Sequence, residues 1–145
     1  MASDNTHDQA LHFASAKGDV DAMRQALSQG ADVNVQSPHM WDTPLHVAVM
    51  NRSVDAIHLL LDAGAELDIP NRDGRTALHE AAFTYQKDPQ VWQLLVEHGA
   101  RTDIPDHTQQ TPQQLLNSLV YGPALMEFSK ELGDRALELD RSRGR

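Results

Sequence analysis

Three sequence markers recur along the chain at intervals of 33 to 35 residues and keep the same phase. The markers are a Gly-Ala pair, a Leu-His pair and a threonine, which begin at Gly30, Gly64 and Gly99, at Leu11, Leu45 and Leu78, and at Thr43, Thr76 and Thr111. A fixed period of this length indicates a solenoid, in which each unit covers the apolar face of its neighbour. We therefore expect stacked repeats that share one continuous core.

Each period predicts two short helices followed by a turn. In the second period, Thr43 is a suitable N-cap and Pro44 suits the first helical position. Apolar residues at helical spacing then mark two helices, and Gly64 ends the second one because glycine tolerates the left-handed conformation of a C-terminal cap. The sequence Asn71-Arg72-Asp73-Gly74 predicts a tight turn before the next unit begins.

These residues resemble the ankyrin-repeat family. The resemblance is carried by Thr43-Pro44-Leu45-His46-Val47-Ala48 and Thr76-Ala77-Leu78-His79-Glu80-Ala81-Ala82, each followed by a Leu-Leu pair and Gly-Ala, and it extends over residues 9 to 120. It implies an all-α solenoid of stacked helix-turn-helix units that are joined by β-turn or hairpin loops. We predict one ankyrin-repeat domain over residues 9–139, with flexible termini at 1–8 and 140–145. Its units are predicted at about 9–36, 37–70, 71–105 and 106–139.

Several units depart from the repeat pattern. Gln25 stands at an apolar position of the first unit, as suits a polar N-terminal cap. Trp41 occupies the place of a turn glycine and is preceded by one extra residue, so we expect an altered turn there. The third unit has two extra residues within 85–88. The fourth unit has no closing Gly-Ala and reads as a degenerate C-terminal cap, with a last helix predicted from Leu125, Phe128, Leu132, Ala136 and Leu139.

Composition narrows the classes of partner. The net charge is −9, and no basic stripe interrupts the sequence, so binding to nucleic acid or to an anionic membrane is not expected. The chain has no cysteine, its first eight residues are not a signal peptide, and no apolar run is long enough to span a bilayer. We expect a cytoplasmic monomer that binds another protein. The acidic charge of the chain favours a partner with a basic surface.

Metal and catalytic motifs fail on inspection. His79-Glu80-Ala81-Ala82 begins like a zinc-protease helix, but Phe83 stands where the second histidine is required. The segment 69–80 resembles a calcium loop, but Ile69 occupies the first ligand position and offers no side-chain oxygen. The histidines of the Leu-His pairs are expected to bond backbone within the stack. No cofactor, metal or catalytic residue is therefore predicted.

The family resemblance implies that the turn tips and the ends of the first helices line a concave face. The residues that we predict to contact a partner there are Met40, Trp41, Asp42, Met50, Arg72, Asp73, Arg75, Phe83, Tyr85 and His107. Two arrangements remain open for the apolar members. Met40 and Trp41 either stay exposed or fold back onto the stack, and Phe83 and Tyr85 either join an exposed strip or pack under the longer loop.

Four functions compete at this point. The leading one is a protein–protein interaction module, an adaptor or scaffold, that binds its partner through the concave face. The first alternative is a stoichiometric inhibitor or immunity-type binder that occludes a basic protein, which the acidic charge favours. The others are a subunit that assembles with its own copies and, least favoured, an enzyme or metal-binding protein.

Overall fold

The computed structural model describes residues 6–122, and within that range it contains helices and turns but no strand. The α-helices are α1 (Thr6–Lys17), α2 (Val20–Ser28), α3 (Pro44–Met50), α4 (Val54–Asp62), α5 (Ala77–Thr84), α6 (Pro89–Glu97) and α7 (Pro112–Leu116), and a π-helical turn, Asn117–Tyr121, follows α7. The predicted all-α repeat solenoid is confirmed. No helix of this part of the chain is long and apolar enough to cross a membrane.

The helices form two layers. Helices α1, α3, α5 and α7 pack side by side as an inner layer, and each of the first three also packs against the helix that follows it in the chain. Helix α2 packs against α4 in the outer layer. Short helices of this kind are marginal alone, so their stability comes from these tertiary contacts.

The core runs through all units and repeats its own residues. Leu11, Leu45 and Leu78, the leucines of the Leu-His pairs, are each at most 1% exposed. Ala48 and Ala81 are also fully buried, and their small side chains allow neighbouring inner helices to approach closely. The outer helices contribute Met23, Ala26, Ala56, Ile57, Leu60, Val91, Leu94 and Leu95.

Capping residues set the ends of the helices as predicted. Thr43 and Thr111 cap α3 and α7, and each is followed by a proline at the first helical position. The outer helices end before Gly30, Gly64 and Gly99, which have φ angles of 95°, 89° and 97°. This left-handed conformation favours glycine and turns the chain away from the helix.

Histidine rings join the second unit to the third and the third unit to the fourth. The ring of His46 accepts a hydrogen bond at Nδ1 from the Thr43 N–H (3.1 Å) and donates from Nε2 to the Arg75 carbonyl in the following turn (2.8 Å). His79 repeats the arrangement with the Thr76 N–H (2.9 Å) and the Gln110 carbonyl (2.9 Å). An imidazole can accept at one nitrogen and donate at the other only when it is neutral.

The buried rings disfavour protonation. Burial lowers the pKa of both His46 and His79 below the ordinary value, and this effect outweighs the hydrogen bonds to the backbone carbonyls that favour the charged form. For His46 the Asp42 carboxylate also opposes the shift. The folded chain therefore holds these two rings neutral at a pH where the unfolded chain has begun to bind protons.

The first helix begins earlier than the predicted domain boundary at residue 9. Helix α1 starts at Thr6, and the Asp8 carboxylate in its first turn accepts the Asp32 N–H at 2.7 Å, which ties this turn to the loop after α2. Residues 6–8 are thus part of the helix rather than of a flexible terminus. The predicted last helix of the fourth unit and the predicted flexible C-terminus lie outside the described residues.

We expect His79→Ala to lower the free energy of unfolding by about 2–4 kcal/mol, because it removes two buried hydrogen bonds and leaves a small cavity. Urea unfolding measures the change. The matched control is His58→Ala on the exposed side of α4, which should stay within about 0.5 kcal/mol of the parent chain. Equal effects of the two changes would contradict the bridging role.

Acidification should destabilise the fold through the same rings. At pH values between the lowered pKa values of His46 and His79 and about 6.5, the unfolded chain binds more protons than the folded chain. The contribution of these two rings to the free energy of unfolding should therefore be fully present above about pH 6.5. It should be lost as the pH decreases through this window. Thermal unfolding at a series of pH values measures the slope. His79→Ala should make the slope shallower, and an unchanged slope would rule out this ring as a source.

Candidate protein-binding face

The third and fourth turn tips are each held by one buried polar residue. The Asn71 Oδ1 accepts the N–H groups of Asp73 and Arg75, each at 3.0 Å. The Asp106 Oδ1 does the same in the next tip, where it accepts the N–H groups of Thr108 (2.8 Å) and Gln110 (3.0 Å). These bonds satisfy the turn backbone internally, so the outward side chains of the tips are free to vary.

Neighbouring tips are also bonded to one another. The Arg72 N–H donates to the Met40 carbonyl, and the His107 N–H donates to the Asp73 carbonyl, both at 2.9 Å. Successive tips thus form a continuous row beside the inner helices. The partner-binding residues predicted on different tips are brought into this one row.

The tip of the second unit differs as expected from its sequence. It closes through the Ser37 N–H and the Asp42 carbonyl (2.9 Å), one residue wider than the Asn71–Arg75 turn. Trp41 takes the left-handed position with φ 57°, where the equivalent residue of the third tip is Gly74 with φ 76°. A residue with a Cβ pays about 1–2 kcal/mol for this conformation. The indole of Trp41 is therefore attached to a backbone conformation that is unfavourable for any residue with a Cβ.

The structure leaves the central apolar residues exposed. Trp41 is 51% exposed, Met40 46%, Phe83 43% and Met50 39%. Phe83 and Met50 occupy equivalent positions near the ends of α5 and α3, and Met40 and Trp41 lie on the adjacent tip row. Of the two arrangements open from sequence for Met40, Trp41 and Phe83, exposure is the one observed, and Met50 is exposed beside them. We call these four residues the apolar strip.

Tyr85 does not join the apolar strip. Its ring packs edge-on against Trp92 of α6, with ring centroids 6.3 Å apart and planes at 87°. It is partly buried against the core, because the longer loop after α5 turns it toward the outer layer. Packing under the loop, the other arrangement left open from sequence, is thus observed for Tyr85.

Phe13 was missed in the sequence analysis. It is 64% exposed on α1, and the Lys17 ammonium lies 4.5 Å from its ring centroid. It borders a groove of about 360 Å³ whose apolar lining comes from Phe13, Ala16, Val35, Pro38 and Val47. The sequence carries a signal that could have identified Phe13 as a surface residue. Phe13, Val47 and Glu80 each follow the histidine of a Leu-His pair, a position where the repeat sets no fixed residue.

Arg75 bridges the third and fourth units. Its Nε lies 3.6 Å from the Asp106 Oδ2, and its guanidinium carbon lies 4.8 Å from the Phe83 ring centroid. Burial alone would raise the pKa of Asp106, but hydrogen bonds from Thr108 and the Gln110 N–H outweigh it and hold that pKa below its ordinary value. Asp106 is therefore a charged partner for Arg75 at neutral pH.

Glu80 lies in a strained electrostatic environment. Burial raises the pKa of its carboxyl, and the nearby carboxylates of Asp42 and Asp73 raise it further. Arg75 and a hydrogen bond from Asn71 oppose the rise without cancelling it. The predicted residues Asp42, Asp73 and Arg75 are thus electrostatically linked through a residue that the sequence analysis did not assign to the site.

His107 and Arg72 lie at the edge of the face. His107 is exposed, and its ring and backbone cover Gly74 so closely that a Cβ added to Gly74 would lie 2.6 Å from the His107 Cδ2. Arg72 is exposed, and its Nη1 donates to the His39 carbonyl at 3.3 Å. Within residues 6–122, no three His, Asp or Glu side chains are grouped so that they could hold a metal ion.

The stacked helix pairs and their tip row define a helical-repeat protein. A family model described as ankyrin repeats, in three copies, matches residues 4–106, which is more than half of the chain, and the chain therefore belongs to the ankyrin-repeat family. Ankyrin repeats are generally protein–protein interaction modules, and domains of this kind are typically non-catalytic. A search of the curated proteins found no significant match.

Trp41→Gly tests whether the indole supports the stack. Relief of the left-handed strain should offset the lost contacts, so the free energy of unfolding should stay within about 1 kcal/mol of the parent value. Gly74→Ala at the equivalent position should instead cost about 2 kcal/mol or more, since the new Cβ is both strained and in contact with His107. Urea unfolding compares the two. A loss above about 2 kcal/mol for Trp41→Gly would mean that the indole is a packing residue.

Proposed function

We propose that this chain is an adaptor or scaffold module that binds a partner protein through its concave face. One observation carries the proposal: Trp41 is half exposed on a tip where its backbone conformation is unfavourable for any residue with a side chain. A residue whose backbone strain lowers stability and whose side chain adds little to the core is typical of a functional position. Binding is the use that an exposed indole fits best, since tryptophan is enriched at interface hot spots.

The distribution of exposed apolar groups supports the same face. Within residues 6–122, the large apolar side chains with the greatest exposure are Phe13 and Trp41, and both belong to it. Met40, Met50 and Phe83 add to the same surface, whereas Val96 lies on an outer helix and Leu119 and Tyr121 lie on the π-helical turn after α7. Apolar groups gathered on one side of a soluble domain mark an interaction surface.

The face combines anchors of different kinds. Trp41 and Phe83 present large rings with few rotatable bonds, so they lose little entropy when they are buried by a partner. Met40 and Met50 are flexible and polarizable, and they adapt to an irregular surface. Arg72, Asp73 and His107 border the strip and supply polar contacts at its rim. We place the protein in the cytoplasm as part of this proposal.

A stoichiometric inhibitor of a basic protein is the second candidate. The observation that favours it is the net charge of −9, which accelerates association with a basic surface. The two candidates use the same face and differ in the outcome of binding. A one-to-one complex in which the partner loses its activity would identify an inhibitor, whereas a partner that stays active would identify an adaptor.

The double change Trp41→Ala with Phe83→Ala should weaken partner binding at least about 30-fold without unfolding the domain, because both rings are anchors of the face rather than of the core. Quantitative pull-down from the native lysate and titration of the captured partner measure the loss. Val96→Ala on α6 is the control for an exposed apolar residue outside the face. An unchanged set of captured proteins with the double variant would rule out the concave face.

A further inference from the structure

Three carboxyl groups on neighbouring elements of the concave face influence one another electrostatically. Asp42 ends the second turn tip, Asp73 lies on the third tip, and Glu80 lies on α5, three residues before Phe83. The Asn71 side chain connects the tips that carry two of them: its Nδ2 donates to the Asp42 Oδ1 at 3.0 Å, and its Oδ1 accepts the N–H of Asp73 at 3.0 Å. One buried amide thus ties the Asp42 carboxylate to the tip that carries Asp73.

The nearby cations of the chain are engaged elsewhere. Arg75 directs its Nε at Asp106 and stacks its guanidinium on Phe83, and the Arg72 guanidinium donates to a carbonyl. In the described range, the ion pairs closer than 4 Å are Arg75–Asp106 and Arg101–Asp103, and neither includes these three carboxyl groups. Arg75 opposes the rise in the Glu80 pKa without cancelling it, so the middle of the face carries negative charge that the chain itself compensates only in part.

A cation would relieve this arrangement. Glu80 is partly buried beside two other carboxylates, and its raised pKa records how unfavourable that position is for a negative charge. A bare metal ion does not fit, because the described part of the chain brings no three such groups close enough to hold one. A cationic side chain spans a wider gap, since its several donors reach separate carboxylates.

Apolar surface borders the carboxyl groups on both sides. Trp41 immediately precedes Asp42 in the second tip, and Phe83 lies one helical turn beyond Glu80 on α5. Lysine and arginine match this combination, because their aliphatic stems pack on apolar surface while the charged end reaches a polar group. Aromatic rings add an attraction of their own for these cations.

We propose that the partner inserts a lysine or arginine side chain among Asp42, Asp73 and Glu80, and packs its apolar neighbours on Trp41, Met50 and Phe83. The inference rests on the proposed function, because it names the chemistry that the concave face recognises. Charge complementarity selects this occupant: the face is apolar at its strip and negative at its centre, and the whole chain carries −9.

Selection from a displayed library of random peptides tests the preference. The library contains lysine, arginine, aspartate and glutamate at equal frequency and is selected on the full chain. We expect enriched peptides to carry a lysine or arginine next to an aromatic or large aliphatic residue. In a synthetic copy, replacement of the basic residue by uncharged norleucine or citrulline should weaken binding about tenfold or more, the range of a hydrogen-bonded charge pair.

A charge-neutral variant locates the contact. Asp73→Asn with Glu80→Gln removes two charges while keeping shape and leaving Asp42 to its bond with Asn71. It should weaken the basic peptide about tenfold or more and leave the uncharged analogue unaffected. The matched control is Asp62→Asn with Glu97→Gln, which removes the same charge from exposed positions at the ends of α4 and α6. This control should retain nearly full affinity.

The outcomes separate the inference from the proposed function. In the first outcome, Trp41→Ala with Phe83→Ala abolishes peptide binding, but one of two further results is also found. Either the uncharged analogue binds as well as the basic peptide, or the control Asp62→Asn with Glu97→Gln weakens the basic peptide as much as Asp73→Asn with Glu80→Gln does. The concave face then stands as a binding site and the lysine or arginine contact is refuted. Failure to enrich any peptide, or binding that survives the loss of both rings, counts against the concave face and against the inference with it.

Discussion

Hydrogen bonds through buried neutral histidines connect the second repeat to the third and the third to the fourth, and the position of the turn tips of the third and fourth repeats depends on them. The ring of His46 bonds the start of its own helix and the Arg75 carbonyl of the following turn, and His79 does the same with Gln110. A tip is thereby fixed against the inner helix of the preceding unit. The side chains of tips and helices then face a partner in a prearranged geometry, which lowers the entropy lost on binding.

Some polar residues serve the stack and the face together. Asn71 closes its own turn with Oδ1 and uses its amide nitrogen to bond the Asp42 carboxyl of the preceding tip. Asp106 closes the next turn and pairs with Arg75, which in turn covers Phe83. Because the same bonds order the turn and orient exposed groups, a change at Asn71 or Asp106 would alter recognition by altering the scaffold first.

The scaffold could be predicted from sequence because its residues recur in phase: the Thr43 cap, the Leu-His pair and Gly64 each have one structural use. The residues of the concave face do not recur from one repeat to the next, so the repeat pattern does not predict their conformation. Trp41 could have packed on the stack or stayed exposed, and the outcome depends on a wider turn that the sequence indicates without specifying its shape. Tyr85 turned to Trp92 for a similar reason, and the extent to which Phe13 is exposed could not be foreseen because the repeat sets no fixed residue at its position.

Two residues of the concave face cost stability. Trp41 occupies the place that Gly74 fills without strain, and Glu80 places a partly buried carboxyl where the second unit has Val47. Phe83 and Met50 expose apolar surface at the ends of helices whose other faces are fully buried. A stack selected for stability alone would repeat its better solutions in every unit. The units instead repeat the leucines of the inner helices and differ on this surface, which separates the residues that hold the fold from those available to a partner.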